Sequence, residues 1–307
     1  MSFPPSVPEA FVRTQRALRG EAGLAWLRRL PSLTKELAGR WSLEVGSPFP
    51  DLSYNWVVPA LRADGTPAVL KLSFPEDKEF RTEASALAAF GGRGICRLLE
   101  LDLERGAMLL ERLLPGTDLT SVEDDEEATT IAAGVIKKLR RPAPRDHAFP
   151  TVAGWAGGFG RLRRRFDGGT GPMPGDLVQK AETLFADLLA SGGEPLLLHG
   201  DLHQGNILAA GRAPWLAIDP KGVVGEAAYE TAALLHNPAQ MLRVLNPKSL
   251  LERRIDVLSE GLDLERTRIR TWGMAQAVLA AYWGLESDGK VWEEALVFAR
   301  LLDGIRD

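Results

Sequence analysis

The sequence predicts an α+β protein in two parts: a small antiparallel sheet with one helix, preceded by a helical extension, and then a larger, mainly helical region. Three observations carry this expectation. Apolar runs broken by turn residues crowd between Trp41 and Arg112, helical spacing dominates on either side, and the apolar runs of the second half are short and scattered. With 307 residues, 45% of them hydrophobic and 25% charged, the chain has enough apolar material for a sizeable core.

From residue 8 to residue 40, Phe11, Leu18, Leu24, Leu27 and Leu30 recur at helical steps among arginines and glutamates, which predicts the extension. Strands are expected at Trp41–Val45, Tyr54–Leu61 and Ala68–Leu72. The last two are joined through Asp64-Gly65, a pair suited to a tight hairpin because glycine accepts a positive φ. Phe80, Ala84 and Leu87 share one face of a helix from about Glu76 to Phe90, stopped by Gly91-Gly92. Two further strands follow at Arg97–Leu103 and Ala107–Arg112.

The boundary between the parts falls at Leu113–Gly116, where a strand ends in a Pro-Gly turn. Thr120, three residues before Glu123, has the spacing of a capping box for a helix running to about Arg140. Residues Pro142 to Gly175 are rich in glycine and proline and read as a long loop or lid holding a short basic helix, with Arg161, Arg163, Arg164 and Arg165 wet and Trp155, Phe159 and Phe166 inward. Short strands are expected at Pro195–Leu198, Ile207–Leu208 and Trp215–Ile218 amid helices, and no internal repeat is present.

Charge and composition exclude several functions. Lysine plus arginine number 37 against 41 acidic residues, a net charge of -4 that gives no footprint for nucleic acid. Cys96 is the single cysteine, so no intrachain disulfide forms, and it reads as a packed small hydrophobe. Met1-Ser-Phe-Pro-Pro lacks the basic, apolar character of a secretory leader, and no apolar run reaches bilayer length. A cytoplasmic location, with no membrane, nucleic-acid or obligate protein partner, is therefore expected.

The chemistry concentrates in His199-Gly200-Asp201-Leu202-His203-Gln204-Gly205-Asn206 and in Ile218-Asp219-Pro220-Lys221. Phosphoryl transfer needs an acceptor for a hydroxyl proton and hard oxygen ligands for magnesium. Asp201 suits the first task, and Asn206 and Asp219 the second, if a short hairpin brings the two loops together. His199, Asp201 and His203 also admit a zinc reading, since alternate strand residues face one way. With four histidines in all and His147 and His236 remote in sequence, such a site would be short of ligands.

These segments resemble the aminoglycoside phosphotransferase branch of the protein-kinase-like fold, whose catalytic loop reads H-G-D-x-x-x-x-N and is followed by a metal-binding aspartate. The wording Ile218-Asp219-Pro220-Lys221-Gly222, continued by Gly225-Glu226-Ala227-Ala228-Tyr229-Glu230, is most similar to streptomycin 6-kinases and the related aminoglycoside/hydroxyurea resistance kinases. The resemblance spans Trp41 to Asn237. It implies two lobes: residues 1–113, the extension plus a nucleotide-binding lobe, and residues 114–307, a catalytic and substrate-binding lobe. It also implies ATP and Mg2+, with Lys71 gripping the phosphates and Glu83 holding Lys71, Glu79 being the rival partner. Met108 to Gly116 resembles the last strand and hinge, with Leu110 as gatekeeper and the backbone of Glu111 and Leu113 pairing with adenine.

The phosphate-covering segment from Gly46 to Tyr54 lacks G-x-G-x-x-G, so its backbone amides and the Ser53 hydroxyl are left to do the covering. Glu226 and Glu230 are candidates for a cationic substrate, whose charges need carboxylates in a cleft. The acidic run Glu123–Glu127 suits the first turn of a helix, and Trp272, Trp283 and Trp292 suit a helical core. The expected activity is ATP-dependent phosphorylation of a hydroxyl on a small molecule, a streptomycin-like aminoglycoside by similarity. Another hydroxylated metabolite, hydroxyurea, or a catalytically silent nucleotide-binding module are the alternatives.

Overall fold

A computed structural model describes residues 7–50, 52–287 and 289–306; the Met1–Pro5 segment read above and Asp51 of the covering segment lie outside them. The chain forms two compact units, one holding the described residues up to Gly92 together with Cys96–Leu113, the other holding Arg93–Ile95 and the described residues from Leu114 onward.

The first unit opens with α1 (Glu9–Arg40), which is broken at Gly20, where φ is 56°, and continues through Pro31. Phe11, Leu27, Leu30 and Leu37 on this helix are fully buried. They join Trp56, Val58, Leu70, Leu72 and Leu109 in a single apolar cluster, so the extension packs as part of this unit's core. Burying each such leucine contributes about 1.5–3 kcal/mol. Electrostatics tie the far end of the helix down. Asp102 accepts from Arg40 at 2.9 Å and from Arg105 at 3.1 Å, and Arg105 reaches back to Glu36 at 2.8 Å.

The sheet is antiparallel: β1 (Leu43–Val45), β2 (Trp56–Arg62), β3 (Pro67–Leu72), then, after α2 (Lys78–Phe90), β4 (Leu98–Asp102) and β5 (Ala107–Glu111), in the order β1-β2-β3-β5-β4. Lys71 lies on the central strand, opposite Val57 on one side and Met108 on the other. Asp77 caps α2 by accepting from the Glu79 N–H, and Gly91, with φ 56°, closes it. β1 begins at Leu43, because α1 extends to Arg40.

In the second unit β6 (Pro115–Asp118) stands where only a turn was expected, pairing with a later strand at Ile207–Ala210. The next helix, α3 (Asp125–Leu139), is capped by Asp124, which accepts from the Glu126 and Glu127 N–H groups. Thr120 instead lies in a short 3₁₀ turn, Leu119–Ser121, capped by Asp118, so the capping box expected there is displaced by four residues. The expected loop over Pro142 to Gly175 holds a full helix, α4 (Val152–Arg165), held by close packing: a Cβ on Gly158 would meet Leu279 at 2.7 Å.

After α5 (Gly175–Ala190) come β7 (Leu196–Leu198), β8 (Ile207–Ala210), β9 (Trp215–Ala217) and β10 (Val223–Gly225). These strands form two small antiparallel ribbons, β6-β8-β9 and β10-β7. The helices α6 (Ala232–Leu235), α7 (Pro247–Leu262), α8 (Arg266–Ser287) and α9 (Glu293–Asp303) complete the unit. α8 is its centre, with Trp272, Met274, Ala277 and Leu279 nearly inaccessible. An edge-to-face aromatic chain runs from Phe159 to Phe185 at 5.4 Å, on to Trp272 at 5.0 Å, and to Tyr229 at 5.0 Å.

Candidate active site

The loop between β7 and β8 carries Asp201 and Asn206, and the stretch after β9 carries Asp219; backbone hydrogen bonds lash the two together. The Ile218 N–H donates to the Asn206 carbonyl at 2.9 Å, and the Lys221 and Gly222 N–H groups donate to the His199 carbonyl at 2.8 and 3.1 Å. Asn206 turns its amide nitrogen onto the Asp201 carbonyl at 2.9 Å. That leaves its side-chain oxygen as the atom on offer to a cation. Asp219 is exposed and sits at φ 57°, a left-handed conformation that aspartate tolerates better than most residues.

His199 is the pin of this frame. Its ring is fully buried, with Nε2 on the Ile218 carbonyl at 2.7 Å and Nδ1 accepting from the Asp201 N–H at 3.3 Å. Burial drives its pKa down to about 4, so the ring is neutral and both nitrogens have fixed roles inside the protein. The zinc reading fails on this ring, which presents no lone pair outward. His203 is half-buried, and its Nδ1 is taken up by the Gly205 N–H at 3.1 Å.

In the other unit Lys71 and Glu83 form a buried pair, Nζ lying 2.7 and 2.9 Å from the two carboxylate oxygens. Glu79 is exposed one turn earlier, with its N–H on Asp77, so the carboxylate beside the strand lysine is that of Glu83.

A family model described as aminoglycoside/hydroxyurea antibiotic resistance kinase matches residues 40–289, four-fifths and more of the chain. The chain belongs to this family. It is a small-molecule phosphotransferase of the protein-kinase-like fold. A streptomycin 6-kinase of Streptomyces griseus is 35% identical over 91% of each chain. A hydroxyurea phosphotransferase of Kitasatospora aureofaciens is 36% identical over 93% of this chain and 82% of that one. Among solved structures, an aminoglycoside phosphotransferase in ternary complex with ADP and hygromycin B superposes with a TM-score of 0.63 at 12% identity, covering 89% of this chain and 97% of that one. A choline kinase from Streptococcus pneumoniae gives 0.62 at 14% identity, over 90% and 98%. At such identities these two structures speak for the fold alone.

Within this resistance kinase the two glutamates expected to meet substrate are committed elsewhere. Glu230 is 3% exposed, and its two oxygens accept the His199 and Gly200 N–H groups at 2.6 and 2.9 Å. Burial pushes its pKa up to about 7, against the pull of those two donors and with a further upward push from Asp201. Glu226 takes Arg268 Nε on both oxygens at 2.8 Å and the Trp272 indole N–H. One carboxylate thus holds the loop, and the other joins the start of the 3₁₀ turn Ala227–Thr231 to helix α8.

The remaining expected residues lie as follows. Leu110 and Leu113 are buried, and Glu111 clamps Arg97 twice, its N–H on the Arg97 carbonyl at 2.8 Å and its carboxylate on the Arg97 N–H at 3.0 Å. Ser53 is exposed. In the covering segment, the Gly46 and Phe49 N–H groups donate to the Pro59 and Val57 carbonyls at 2.8 and 3.1 Å, so these two amides serve the sheet and not a phosphate. Gln15 was not anticipated: fully buried on α1, it donates to the Tyr54 carbonyl at 2.9 Å and anchors the end of that segment.

Trp155 was expected to pack inward, yet it is only half-buried and stands beside the loop. A Cβ on Gly200 would meet its ring at 3.0 Å, and Trp283, also half-buried, meets it edge-on at 5.4 Å. The signal available in sequence was an isolated tryptophan in a glycine-rich stretch. It did not say what the ring faces.

Proposed function

We propose that this kinase transfers the γ-phosphoryl group of ATP to a hydroxyl of a streptomycin-like aminoglycoside, at the 6-position by similarity to its streptomycin 6-kinase relatives. What supports the reading is the frame around Asp201, in which a neutral buried histidine, a buried carboxylate and the Asn206 amide hold one half-buried aspartate at the head of the loop. Asp201 orients the acceptor hydroxyl and takes its proton as the oxygen attacks phosphorus. A positioned base of this kind is worth about 10²–10⁴ in rate. Lys71, kept in place by Glu83, neutralises charge on the α- and β-phosphates, and the backbone of Glu111 and Leu113 pairs with adenine, with Ser53 among the groups that cover the phosphates.

The oxygen donors of Asn206 and Asp219 fit magnesium, which takes hard ligands and keeps waters and phosphate oxygens for the rest of its shell. When bound, the ion neutralises charge on the phosphates. For the acceptor, the half-buried ring of Trp155 beside Gly200, with Trp283 edge-on to it, offers a face that attracts guanidinium groups. A second reading, phosphorylation of hydroxyurea, is favoured by a relative of equal similarity that carries that activity.

The full chain, incubated with Mg-ATP and separately with streptomycin, other aminoglycosides and hydroxyurea, tests both. The expected result is a streptomycin monophosphate by mass spectrometry, absent with Asp201→Ala, which should lose about 10²-fold or more in kcat while its KM for ATP stays within about twofold. Turnover of hydroxyurea alone would transfer the assignment to the second reading. Undiminished kcat in Asp201→Ala would remove the base.

A further inference from the structure

We propose that Arg254 is a positioning residue for phosphoryl transfer, acting through Gln204 to hold the turn that carries Asn206. The inference rests on the kinase reading of that loop, and it concerns residues to which neither motif nor family wording assigns a role.

Arg254 lies on α7 and is 3% exposed, so it touches neither nucleotide nor acceptor. Its fork is filled from several elements at once. Nε lies 3.0 Å from both oxygens of Asp125 at the start of α3, Nη2 lies 2.5 Å from one of them, and Nη1 donates to the carbonyls of Leu234 at 2.5 Å and Asn237 at 2.7 Å. Gln204, also 3% exposed, has its amide between the same guanidinium and the Asn237 carbonyl, and both ends are satisfied only with the oxygen assigned to the guanidinium side, 2.9 Å from Nη1 and 3.1 Å from Nη2, and the nitrogen donating to the Asn237 carbonyl at 3.1 Å.

Gln204 is the first residue of the 3₁₀ turn Gln204–Asn206. The turn closes with the Asn206 N–H on the His203 carbonyl at 2.9 Å. One residue, Gly205, therefore separates the partner of the guanidinium from the candidate magnesium ligand. The fixed geometry of the arginine fork sets the height of the turn, and with it the direction of the Asn206 side chain, through two amide contacts. A buried ion pair is a weak source of stability, since desolvation offsets most of its attraction. The physical advantage of a charged hub here is a single geometry for the loop.

The test uses the full chain and its Gln204→Ala variant, which leaves the Arg254–Asp125 pair intact, alongside Arg254→Met. Four quantities are read: kcat, the acceptor KM, the magnesium concentration for half-maximal nucleotide binding, and amide hydrogen exchange over residues 203–207. The expected result for Gln204→Ala is a loss in kcat of about tenfold, a magnesium requirement raised about tenfold, faster exchange in the turn, and an acceptor KM within about twofold of wild type. Gln204→Glu, which keeps an acceptor oxygen towards Arg254 but loses the donor to the Asn237 carbonyl, should recover part of the loss. Unchanged exchange and magnesium dependence in Gln204→Ala would overturn the inference, as would a folded Arg254→Met of wild-type kcat. If the wild type phosphorylates nothing, the kinase reading fails, while exchange and magnesium-dependent nucleotide binding still decide the role of Gln204.

Discussion

Lys71 and Glu83 are 4% and 7% exposed, and an ammonium at that depth is sustained by the carboxylate beside it. Glu83→Gln keeps the shape and removes the charge. The expected outcome is a KM for ATP raised several-fold with a smaller change in acceptor KM, read by steady-state kinetics with each substrate varied in turn; equal nucleotide KM values in the two proteins would remove the pair from phosphate binding. The family resemblance named this pair, with Glu79 as the rival partner, and the local order strand, turn, helix is what brings Glu83 to Lys71. The closeness of the loops carrying Asp201, Asn206 and Asp219 was legible, being set by one hairpin, β8 to β9. Glu226 and Glu230 were not. Their partners, Arg268, Trp272 and the His199 and Gly200 N–H groups, come from distant elements. The one local hint was that Glu230 sits in Ala227-Ala228-Tyr229-Glu230-Thr231-Ala232-Ala233, a run too apolar for a carboxylate facing water.

At the scale of elements, two capping signals overlap before α3. Thr120 with Glu123 and Asp124 with Glu127 have the same spacing, and the second is the one used. Asp124→Ala should lower stability by about 1 kcal/mol in urea unfolding, whereas Thr120→Ala should stay within about 0.5 kcal/mol, with kcat unaffected in both. The reverse order would reinstate the cap at Thr120. Helix α4 was read as a short helix within a loop because Gly154, Gly157, Gly158 and Gly160 lower local helix preference. Tertiary packing overrides that preference where Gly158 lets α4 approach Leu279 and Tyr282 on α8. The sheet of the first unit, by contrast, was visible from Asp64-Gly65 and the alternation around it, since hairpin pairing is local. The short strand β6 was invisible, because its partner β8 lies some ninety residues on.

Across the whole molecule, three buried titratable groups shape the response to pH. His199 and His236 fall from 6.5 to about 4 and about 3, each through burial above all, so they hold fewer protons folded than unfolded. Glu230 rises from 4.5 to about 7 and does the opposite. Between pH 4.5 and 6.5 the two histidines outweigh the single glutamate, so stability should climb with pH in that window and be lost on acidification through the folded pKa values of the histidines. Above pH 6.5 only Glu230 still acts, and the curve should flatten or dip towards pH 7. Thermal melts over a pH series check this; a melting point that declines steadily from pH 4.5 to 6.5 would contradict it. No helix among the described residues is long and apolar enough to cross a membrane.

The backbone of Asp219 has one more implication. Its left-handed twist is a geometry in which glycine rests most comfortably and in which any Cβ is a burden. Replacing it with glycine would relieve the backbone and, under the proposed magnesium role, remove a ligand, so that the fold would gain what the reaction gives up.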